Sequence, residues 1–240
     1  MFKQFVKKLL QFFGYSLIKI NRKLPNSFVN EPPSFEEIRC IVKSSGILHL
    51  GAHRGKEAEI YQWFNKKVLW IEANPNIFSD LNNHIKYYFK QVAINALLGD
   101  ENKKKNFFVS NRDASCSSIF DLSNDVKNKK LWKNENIMME KKINLTMKKL
   151  DTLLADKKIE IKNYNHWILD LQGSEIQVLK GSIDSLKYCK SMVVEISKKK
   201  FYENGSTQWV DLKKFLEERG FKVNKEPSSD HCDVLFEKIN

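Results

Sequence analysis

The 240-residue sequence has no long apolar run and few cysteines. Near its start, the longest uncharged run spans the ten residues from Leu9 to Ile18, whereas a membrane-spanning helix needs roughly 18 or more. The four cysteines are widely scattered and form no CxxC pair, so a cysteine-ligated zinc site is not expected. Unpaired cysteines of this kind are typical of free thiols in a reducing compartment.

Several functional signatures are also absent. No Ala-x-Ala type cleavage site follows the basic N-terminal segment, so we expect no secretory signal. No G-x-S-x-G turn follows a predicted strand, which disfavours a serine hydrolase. The five histidines share no metal-ligand spacing, and His49, inside a predicted strand, is expected to be a hydrogen-bonded core residue. These absences favour a cytoplasmic protein of another class.

The charge of the chain is strongly unbalanced. It carries 41 Lys and Arg against 29 Asp and Glu, a net charge of +12, which favours anionic partners. Residues 1–24 hold six of the basic residues, no acid, and apolar residues at helical spacing. Such a helix can lie in the interface of an anionic membrane. Packing of this helix on the domain or on a second copy is the equal alternative.

The prolines at 25, 32 and 33 predict a linker, so we divide the chain into a basic amphipathic helix with its linker (1–34) and a second domain (35–240). In the second domain short apolar runs alternate with helical patterns, which predicts βαβ units and a parallel sheet. The first predicted strands are Ile47–Leu50, Val68–Ile71, Gln91–Leu98 and Asn106–Ser110, with helices over 35–43, 56–65 and 75–89. The C-terminal ends of parallel strands share the edge at which ligands bind.

Residues 111–142 interrupt this alternation. They are polar, with one short helix predicted near 126–133, and a long irregular segment inside a domain is typical of a lid or substrate loop. Beyond it we predict strands Ile143–Met147, Trp167–Leu171, Met192–Ile196, Phe221–Val223 and Val234–Glu237, with helices over 150–156, 175–181 and 210–218. The last two strands, joined by a short polar loop, are predicted to be antiparallel.

Two motifs together indicate an adenosine site. Strand Ile47–Leu50 runs into Gly-Ala-His-Arg-Gly (51–55), where glycines permit a tight turn and the next helix offers free N–H donors. Glu72 ends the following strand, where a carboxylate can accept hydrogen bonds from both hydroxyls of a ribose. A helix-capping or surface role for Glu72 is the alternative.

A third motif carries acids to the same edge. Asp170 ends a strand, Glu175 opens the next helix, and Glu195 ends the strand after that. Carboxylates aimed at one cleft can supply a general base and a hydrogen-bond acceptor. The alternative is that Asp170 caps the turn and Glu175 caps the helix.

The chain resembles the FkbM family of methyltransferases from about residue 45 to 237. The resemblance is carried by His-Leu-Gly-Ala-His-Arg-Gly (49–55), Glu72-Ala-Asn-Pro75, Leu150-Asp-Thr-Leu153 and Asp170-Leu-Gln-Gly-Ser-Glu-Ile-Gln-Val-Leu-Lys-Gly181. It implies a Rossmann-like class I methyltransferase fold: an α/β domain with a mostly parallel seven-stranded sheet, a C-terminal antiparallel hairpin and helices on both faces. It also implies S-adenosylmethionine as methyl donor and O-methylation of a hydroxyl on a sugar, glycan or secondary metabolite.

The resemblance also implies residue roles. For the cofactor, it places Gly51, Ala52, His53 and Gly55 under the methionine part and Glu72 on the ribose, with Asn74 nearby. It places Asn95 near the adenine, and Ser115 and Ser117 in a loop beside the cofactor. Asp170 and Glu175 would face the transferred methyl group. The family commonly has Asp where this chain has His49 and Asn where it has His53, and Asp170 can replace the first acid.

The mechanism and the partners leave alternatives open. Asp170 or Glu175 is predicted to be the base, with no metal required, although a divalent metal held by Asp170, Glu175 and Glu195 would be the other way to activate a hydroxyl. The competing functions are a nucleic-acid-binding protein or RNA methyltransferase, and a catalytically decayed membrane-surface protein. We expect a cytoplasmic protein with a glycan or small-molecule acceptor, no nucleic acid, and peripheral contact with the inner face of a membrane through residues 1–24.

Overall fold

The computed structural model describes residues 33–131, 136–203 and 206–239. The predicted basic helix (1–24) and nearly all of the linker therefore lie outside the described residues. Within the described part of the chain, no helix is both long enough and apolar enough to cross a membrane.

A seven-stranded sheet forms the centre of the domain. Its strands are β1 (Gly46–Leu50), β2 (Lys67–Glu72), β3 (Gln91–Asn95), β7 (His166–Leu169), β8 (Ser191–Ser197), β9 (Phe221–Val223) and β10 (His231–Lys238). Their order is β3-β2-β1-β7-β8-β10-β9, and the first five are parallel. Strand β10 is antiparallel to both of its neighbours. This confirms the predicted fold, including the antiparallel hairpin at the C-terminal end.

A second, three-stranded sheet was not predicted. It consists of β4 (Leu97–Leu98), β5 (Lys103–Ser110) and β6 (Met139–Lys148), in the order β4-β6-β5. The expectation that Asn106–Ser110 continues the parallel sheet is therefore wrong. Only the short turn 99–102 separates β4 from β5, whereas a parallel crossover needs a dozen or more residues. Strand β5 pairs antiparallel with β6 instead.

Helices cover both faces of the main sheet. They are α1 (Phe35–Lys43), α2 (Ala58–Trp63), α3 (Pro75–Ile85), α4 (Asn124–Lys127), α5 (Leu150–Asp156), α6 (Glu175–Lys180), α7 (Ile183–Leu186) and α8 (Trp209–Glu217). Ser34 caps α1 as predicted, its Oγ accepting from the backbone N–H of Glu37 at 3.1 Å. Helix α3 ends at Ile85, before the predicted Phe89, and Tyr87 and Phe89 are exposed.

The central strands are buried on both faces. Every residue of β1 is buried, as are all residues of β2 after Lys67. Continuous apolar runs of this kind are typical of a parallel sheet between two layers of helices. Because these strands cannot shift without exposing apolar surface, they fix the positions of the residues that follow them at the C-terminal edge of the sheet.

Gly51 brings two of these strand ends into contact. It follows β1 with φ +81°, and a Cβ there would lie 1.7 Å from the carbonyl oxygen of Asp170, the residue that follows β7. The backbone N–H of Asp170 donates to the carbonyl oxygen of Leu50 at 3.0 Å, so the two chains are paired at this point. Only glycine fits the close approach.

Candidate active site

Two cavities, each of about 220 Å³, lie side by side at the C-terminal edge of the sheet. The first cavity lies beside the ends of β1 and β2 and includes Gly51 and Glu72. The second cavity lies beside the ends of β7 and β8 and includes Glu195. Asp170 and Gln172 line both cavities. A molecule in one cavity is therefore next to a molecule in the other.

Six of the nine predicted cofactor residues line the first cavity: Gly51, Ala52, His53, Glu72, Ser115 and Ser117. The buried Glu72 carboxylate accepts one backbone N–H on each oxygen, from His53 at 2.9 Å and from Asn74 at 2.7 Å. Burial raises its pKa, and these N–H donors oppose that effect. Each carboxylate oxygen has a second lone pair, so Glu72 can still accept hydrogen bonds from a ligand.

The other predicted cofactor residues, Gly55, Asn74 and Asn95, do not line the first cavity. A Cβ on Gly55 would lie 2.7 Å from Cδ1 of Leu81, so this glycine makes room for α3. The Asn74 side chain caps α3 by accepting from the backbone N–H of Asn76 at 3.1 Å. Asn95 donates its amide to the carbonyl oxygens of Glu72 and Ala73. In this structure all three stabilise the elements that carry Glu72.

Sequence reasoning missed the apolar wall of the first cavity. The wall is formed by Ala73, Ala96, Leu97, Phe107 and Ile119. Leu97, Phe107 and Ile119 belong to one buried cluster under the second sheet. A cavity with a hydrogen-bonding carboxylate and an apolar wall fits a nucleoside, because the sugar hydroxyls form hydrogen bonds and the flat base packs on apolar side chains. The residues present therefore fit S-adenosylmethionine.

The predicted serine loop is tied to the second sheet. Ser117 Oγ accepts from the backbone N–H of Ser110 at 3.1 Å, and Ser110 Oγ accepts from that of Cys116 at 3.2 Å. Ser115 lines both cavities, and its Oγ donates to the carbonyl oxygen of Arg112 at 2.7 Å. Together these bonds hold the loop as a wall at the junction of the cavities.

His49 is a buried residue, as the sequence predicted. Its ring stacks on Trp70 with centroids 4.7 Å apart, and its Nδ1 lies 3.3 Å from the hydroxyl of Tyr61. Burial lowers the pKa of His49 to about 3, so the ring is neutral at physiological pH. Asp170 lines the same cavity and supplies an acid there.

All three predicted catalytic acids, Asp170, Glu175 and Glu195, line the second cavity. Glu175 is buried, and its Oε1 accepts from the backbone N–H of Leu171 at 3.2 Å and of Gly173 at 3.0 Å. Burial raises the pKa of Glu175 to about 7. Burial raises the pKa of Asp170 well above its ordinary value, and the nearby charge of Glu195 raises it further.

Gln172 and Tyr202 were not predicted, yet they connect these acids. The Gln172 amide Nε2 donates to Asp170 Oδ1 at 2.5 Å and to Glu195 Oε2 at 2.6 Å. Its Oε1 accepts from the Tyr202 hydroxyl at 2.7 Å. His231 Nε2 lies 3.2 Å from Glu195 Oε1. A polar residue two positions after Asp170 was the one available signal for Gln172, and Tyr202 had none.

The acids do not form a ready metal site. Among the residues that the structure describes, no group of three or more His, Cys, Asp or Glu side chains is arranged to hold a metal ion. Two of the acids already share the Gln172 amide. The arrangement suits proton transfer by a buried carboxylate.

A family model of the methyltransferase FkbM domain matches residues 49–223. A search of curated proteins finds no match. Among solved structures, the chain is similar to magnesium protoporphyrin IX methyltransferase from Synechocystis with bound S-adenosylmethionine, at 8% identity and a TM-score of 0.41 over 85% of this chain and 77% of that one. It is also similar to Aeropyrum pernix fibrillarin with bound S-adenosylmethionine, at 13% identity and a TM-score of 0.43 over 81% of this chain and 67% of that one.

A S-adenosylmethionine-dependent methyltransferase from Aquifex aeolicus is similar at 9% identity and a TM-score of 0.44, over 85% of this chain and 88% of that one. Because these structural similarities are weak, the assignment rests on the family match, which spans more than half of the sequence and confirms the resemblance seen in the motifs. The chain belongs to the FkbM family of methyltransferases, and its methyl donor is S-adenosylmethionine.

Proposed function

We propose that this protein methylates a hydroxyl group of a sugar or glycan, with Asp170 as the base. One observation carries the proposal: the cavity that fits a nucleoside and the cavity that contains the three acids meet at Asp170. A group that lines both cavities can take a proton from an acceptor in the second cavity beside a donor in the first.

The first cavity would hold the cofactor through groups already positioned for it. Glu72 would accept the ribose hydroxyls, and the wall around Leu97 and Phe107 would cover the adenine. Asp170 would face the cationic methionine part, which suits an acid in a buried site. The bound cofactor supplies an electrophilic methyl group on a positively charged sulfur.

Asp170 would perform the proton transfer. An alcohol oxygen becomes a good nucleophile as it loses its proton, and a carboxylate within hydrogen-bond reach is sufficient for this. The Asp170 carboxylate would take up the O–H proton of the acceptor. The raised pKa of Asp170 makes it a stronger base than an exposed aspartate. Glu175, held by two backbone N–H groups, is the second candidate.

The lining of the second cavity supports a sugar acceptor. Hydroxyl and amide groups of Ser206, Thr207 and Gln208 lie there beside the aromatic ring of Trp209. A sugar presents hydroxyls that hydrogen-bond such groups and a C–H face that packs on an aromatic ring. An amine would suit the acids less well, because they would hold it in the protonated, non-nucleophilic form.

A methyl-transfer screen tests the proposal. The full chain is incubated with labelled S-adenosylmethionine and with sugar, nucleotide-sugar and lipid-linked glycan acceptors. We expect Asp170→Ala and Glu175→Ala to bind the cofactor and lose turnover, whereas Asp211→Ala, on the exposed face of α8, serves as the matched control. Full turnover in both site variants would contradict the base assignment, and label found only on amines would contradict O-methylation.

We also propose peripheral contact with an anionic membrane on the cytoplasmic side. A cleft of about 870 Å³ lies at the opposite edge of the sheet. Its lining includes the acid Glu237 and six basic residues: Arg39, Lys43, Lys162, Lys187, Lys190 and Lys238. The basic segment 1–24 precedes α1, which carries Arg39 and Lys43 of this cleft. Both features favour an anionic surface.

A further inference from the structure

Both polar atoms of the Gln172 side chain form hydrogen bonds. Its NH2 group has two donors, one for Asp170 and one for Glu195, and both of these partners are acceptors when ionised. Its carbonyl oxygen accepts from Tyr202. The reverse orientation of the amide would place its oxygen against two carboxylates. The surroundings therefore fix which way the amide points.

The backbone of Gln172 is also constrained. Its φ is +52°, in the left-handed region that non-glycine residues rarely adopt. The backbone carbonyl oxygen of Gln172 accepts from Ser118 Oγ at 2.7 Å, and this bond connects Gln172 to the serine loop. Unusual backbone conformations that the surroundings enforce are concentrated at functional sites. Ser118 thus holds the backbone of Gln172, and Tyr202 holds its side-chain amide.

Tyr202 supplies a hydroxyl that stays protonated. It is buried, and its hydroxyl also lies 3.1 Å from the carbonyl oxygen of Cys116. Burial raises the pKa of Tyr202 well above its ordinary value, so the hydroxyl keeps its proton throughout the physiological range. This one proton serves two acceptors, and the contact with the Gln172 oxygen, at 2.7 Å, is the shorter of the two.

We propose that Gln172 is the positioning residue of this active site: its amide, locked by Tyr202, aims the Asp170 carboxylate at the junction of the two cavities and stabilises its ionised form beside Glu195. This inference rests on the proposed role of Asp170 as the base. Without Gln172, two neighbouring acids in a buried site would favour the protonated form, and the base would be lost.

The groups around Asp170 have opposing effects on its ionisation. Burial, Glu195 and Glu175 raise its pKa, and the Gln172 amide lowers it. On the far side of Glu195, a hydrogen bond to that acid raises the pKa of His231, and the charge of Asp233 acts on His231 in the same direction. Of these effects, that of the Gln172 amide favours the carboxylate.

Three variants separate the orientation of the Asp170 carboxylate from its ionisation. Gln172→Met keeps the length of the side chain and removes both donors. Gln172→Glu replaces the amide with a further acid. Tyr202→Phe removes the hydroxyl that donates to Gln172 and to the Cys116 carbonyl. Tyr188→Phe, at an exposed tyrosine, is the matched control for the last change. Thermal unfolding of each variant, compared with the wild-type protein, confirms that it is folded before its activity is measured.

The pH dependence of kcat/KM distinguishes positioning from a structural role. We expect Gln172→Met to move the acidic limb of the profile up by about one pH unit and to lower kcat/KM at neutral pH by about tenfold. Gln172→Glu should move the limb further, and Tyr202→Phe should lower kcat by about fivefold. A loss of activity with an unmoved acidic limb in all three variants would overturn the proposal.

A second measurement does not depend on activity. In protein labelled with ¹³C at aspartate carboxyls, the Asp170 signal, assigned by its loss in Asp170→Asn, is followed through a pH titration. We expect Asp170 to titrate at higher pH in Gln172→Met than in the wild-type protein. Equal titration in the two proteins would overturn the proposal. Failure of every acceptor in the methyl-transfer screen would instead count against the proposed function and leave this titration interpretable.

Discussion

Gly51 offers a test of how closely the two strand ends must approach. Gly51 and Gly220 have similar backbone conformations, with φ of +81° and +77°. A Cβ on Gly51 would lie 1.7 Å from the carbonyl oxygen of Asp170, whereas a Cβ on Gly220 would meet nothing within 4 Å. Substitution of each by alanine therefore applies the same backbone strain with and without a steric clash.

The expected cost follows from these distances. Alanine in the left-handed region costs about 1–2 kcal/mol at either position. Real Cβ atoms do not approach closer than 3.0 Å, so the Asp170 carbonyl must move by about 1.3 Å in Gly51→Ala. That movement strains the bond between Asp170 and Leu50, and overpacking adds about 1–3 kcal/mol. The free energy of unfolding should fall by about 2–5 kcal/mol in Gly51→Ala.

Urea and thermal unfolding measure the difference. At about 2–4 °C per kcal/mol for a domain of this size, we expect a clearly lower Tm for Gly51→Ala than for Gly220→Ala. The folded fraction of Gly51→Ala should also lose methyl transfer, because the displaced backbone carries Asp170. Equal unfolding free energies for the two variants would refute the reasoning about the strand ends.

Three further predictions concern separate parts of the protein. Glu72→Gln should weaken S-adenosylmethionine binding by about 10–100-fold in calorimetry, because hydrogen bonds to a charged acceptor are lost; unchanged affinity would contradict the ribose role. Deletion of residues 1–24, or the double change Lys43→Glu and Lys190→Glu, should reduce sedimentation with phosphatidylserine vesicles and leave turnover on soluble acceptors intact. Unchanged sedimentation would contradict the membrane proposal. Binding of RNA in preference to vesicles would indicate a nucleic-acid partner instead. Glu175→Gln should stabilise the fold above neutral pH, as measured by urea unfolding.

The main sheet could be predicted because its signals are local. The strand that ends at Leu50 has a short, mostly apolar run followed by Gly51, and the next strand has the apolar run Val68–Ile71 followed by Glu72. Such a segment is identified by its own residues and needs no information about its partners. The edge of the sheet, and with it Asp170, follows from the order of these elements.

Features that depend on distant pairing could not be predicted. The sequence pattern of β5 predicts a strand, but its partner β6 lies beyond a long polar segment. The sequence does not show that the two pair antiparallel. The contact between Gln172 and Tyr202 joins residues 30 positions apart. Leu97 and Phe107 read as ordinary core residues until the fold brings them to the first cavity.

The segment 111–142 illustrates the same limit. Its polar composition predicts a lid, and that role remains a prediction. In the described part, Cys116, Leu122 and Val126 are buried against Phe201 and Tyr202. A few apolar residues spaced through a polar segment give no periodic signal, so the packing that holds this wall of the site was not visible in the sequence.

Glu175→Gln follows from the cost of burying an acid. The pKa of Glu175 is raised from 4.5 to about 7 in the folded protein, so the folded state holds this proton more tightly than the unfolded state does. Stability is then lost as pH rises from about 4.5 to about 7, and the loss above neutral pH is about 3 kcal/mol.

Glutamine at this position removes that loss without removing the acceptor. Its Oε1 can keep the backbone N–H groups of Leu171 and Gly173, and it carries no proton to release. We therefore expect Glu175→Gln to match the wild-type protein in stability near pH 4 and to exceed it by up to about 3 kcal/mol at pH 8. If stability at pH 8 is unchanged or lower, Glu175 is better solvated than its burial indicates. A gain in stability accompanied by lost turnover would show that the protein keeps this buried acid for its chemistry and not for its fold.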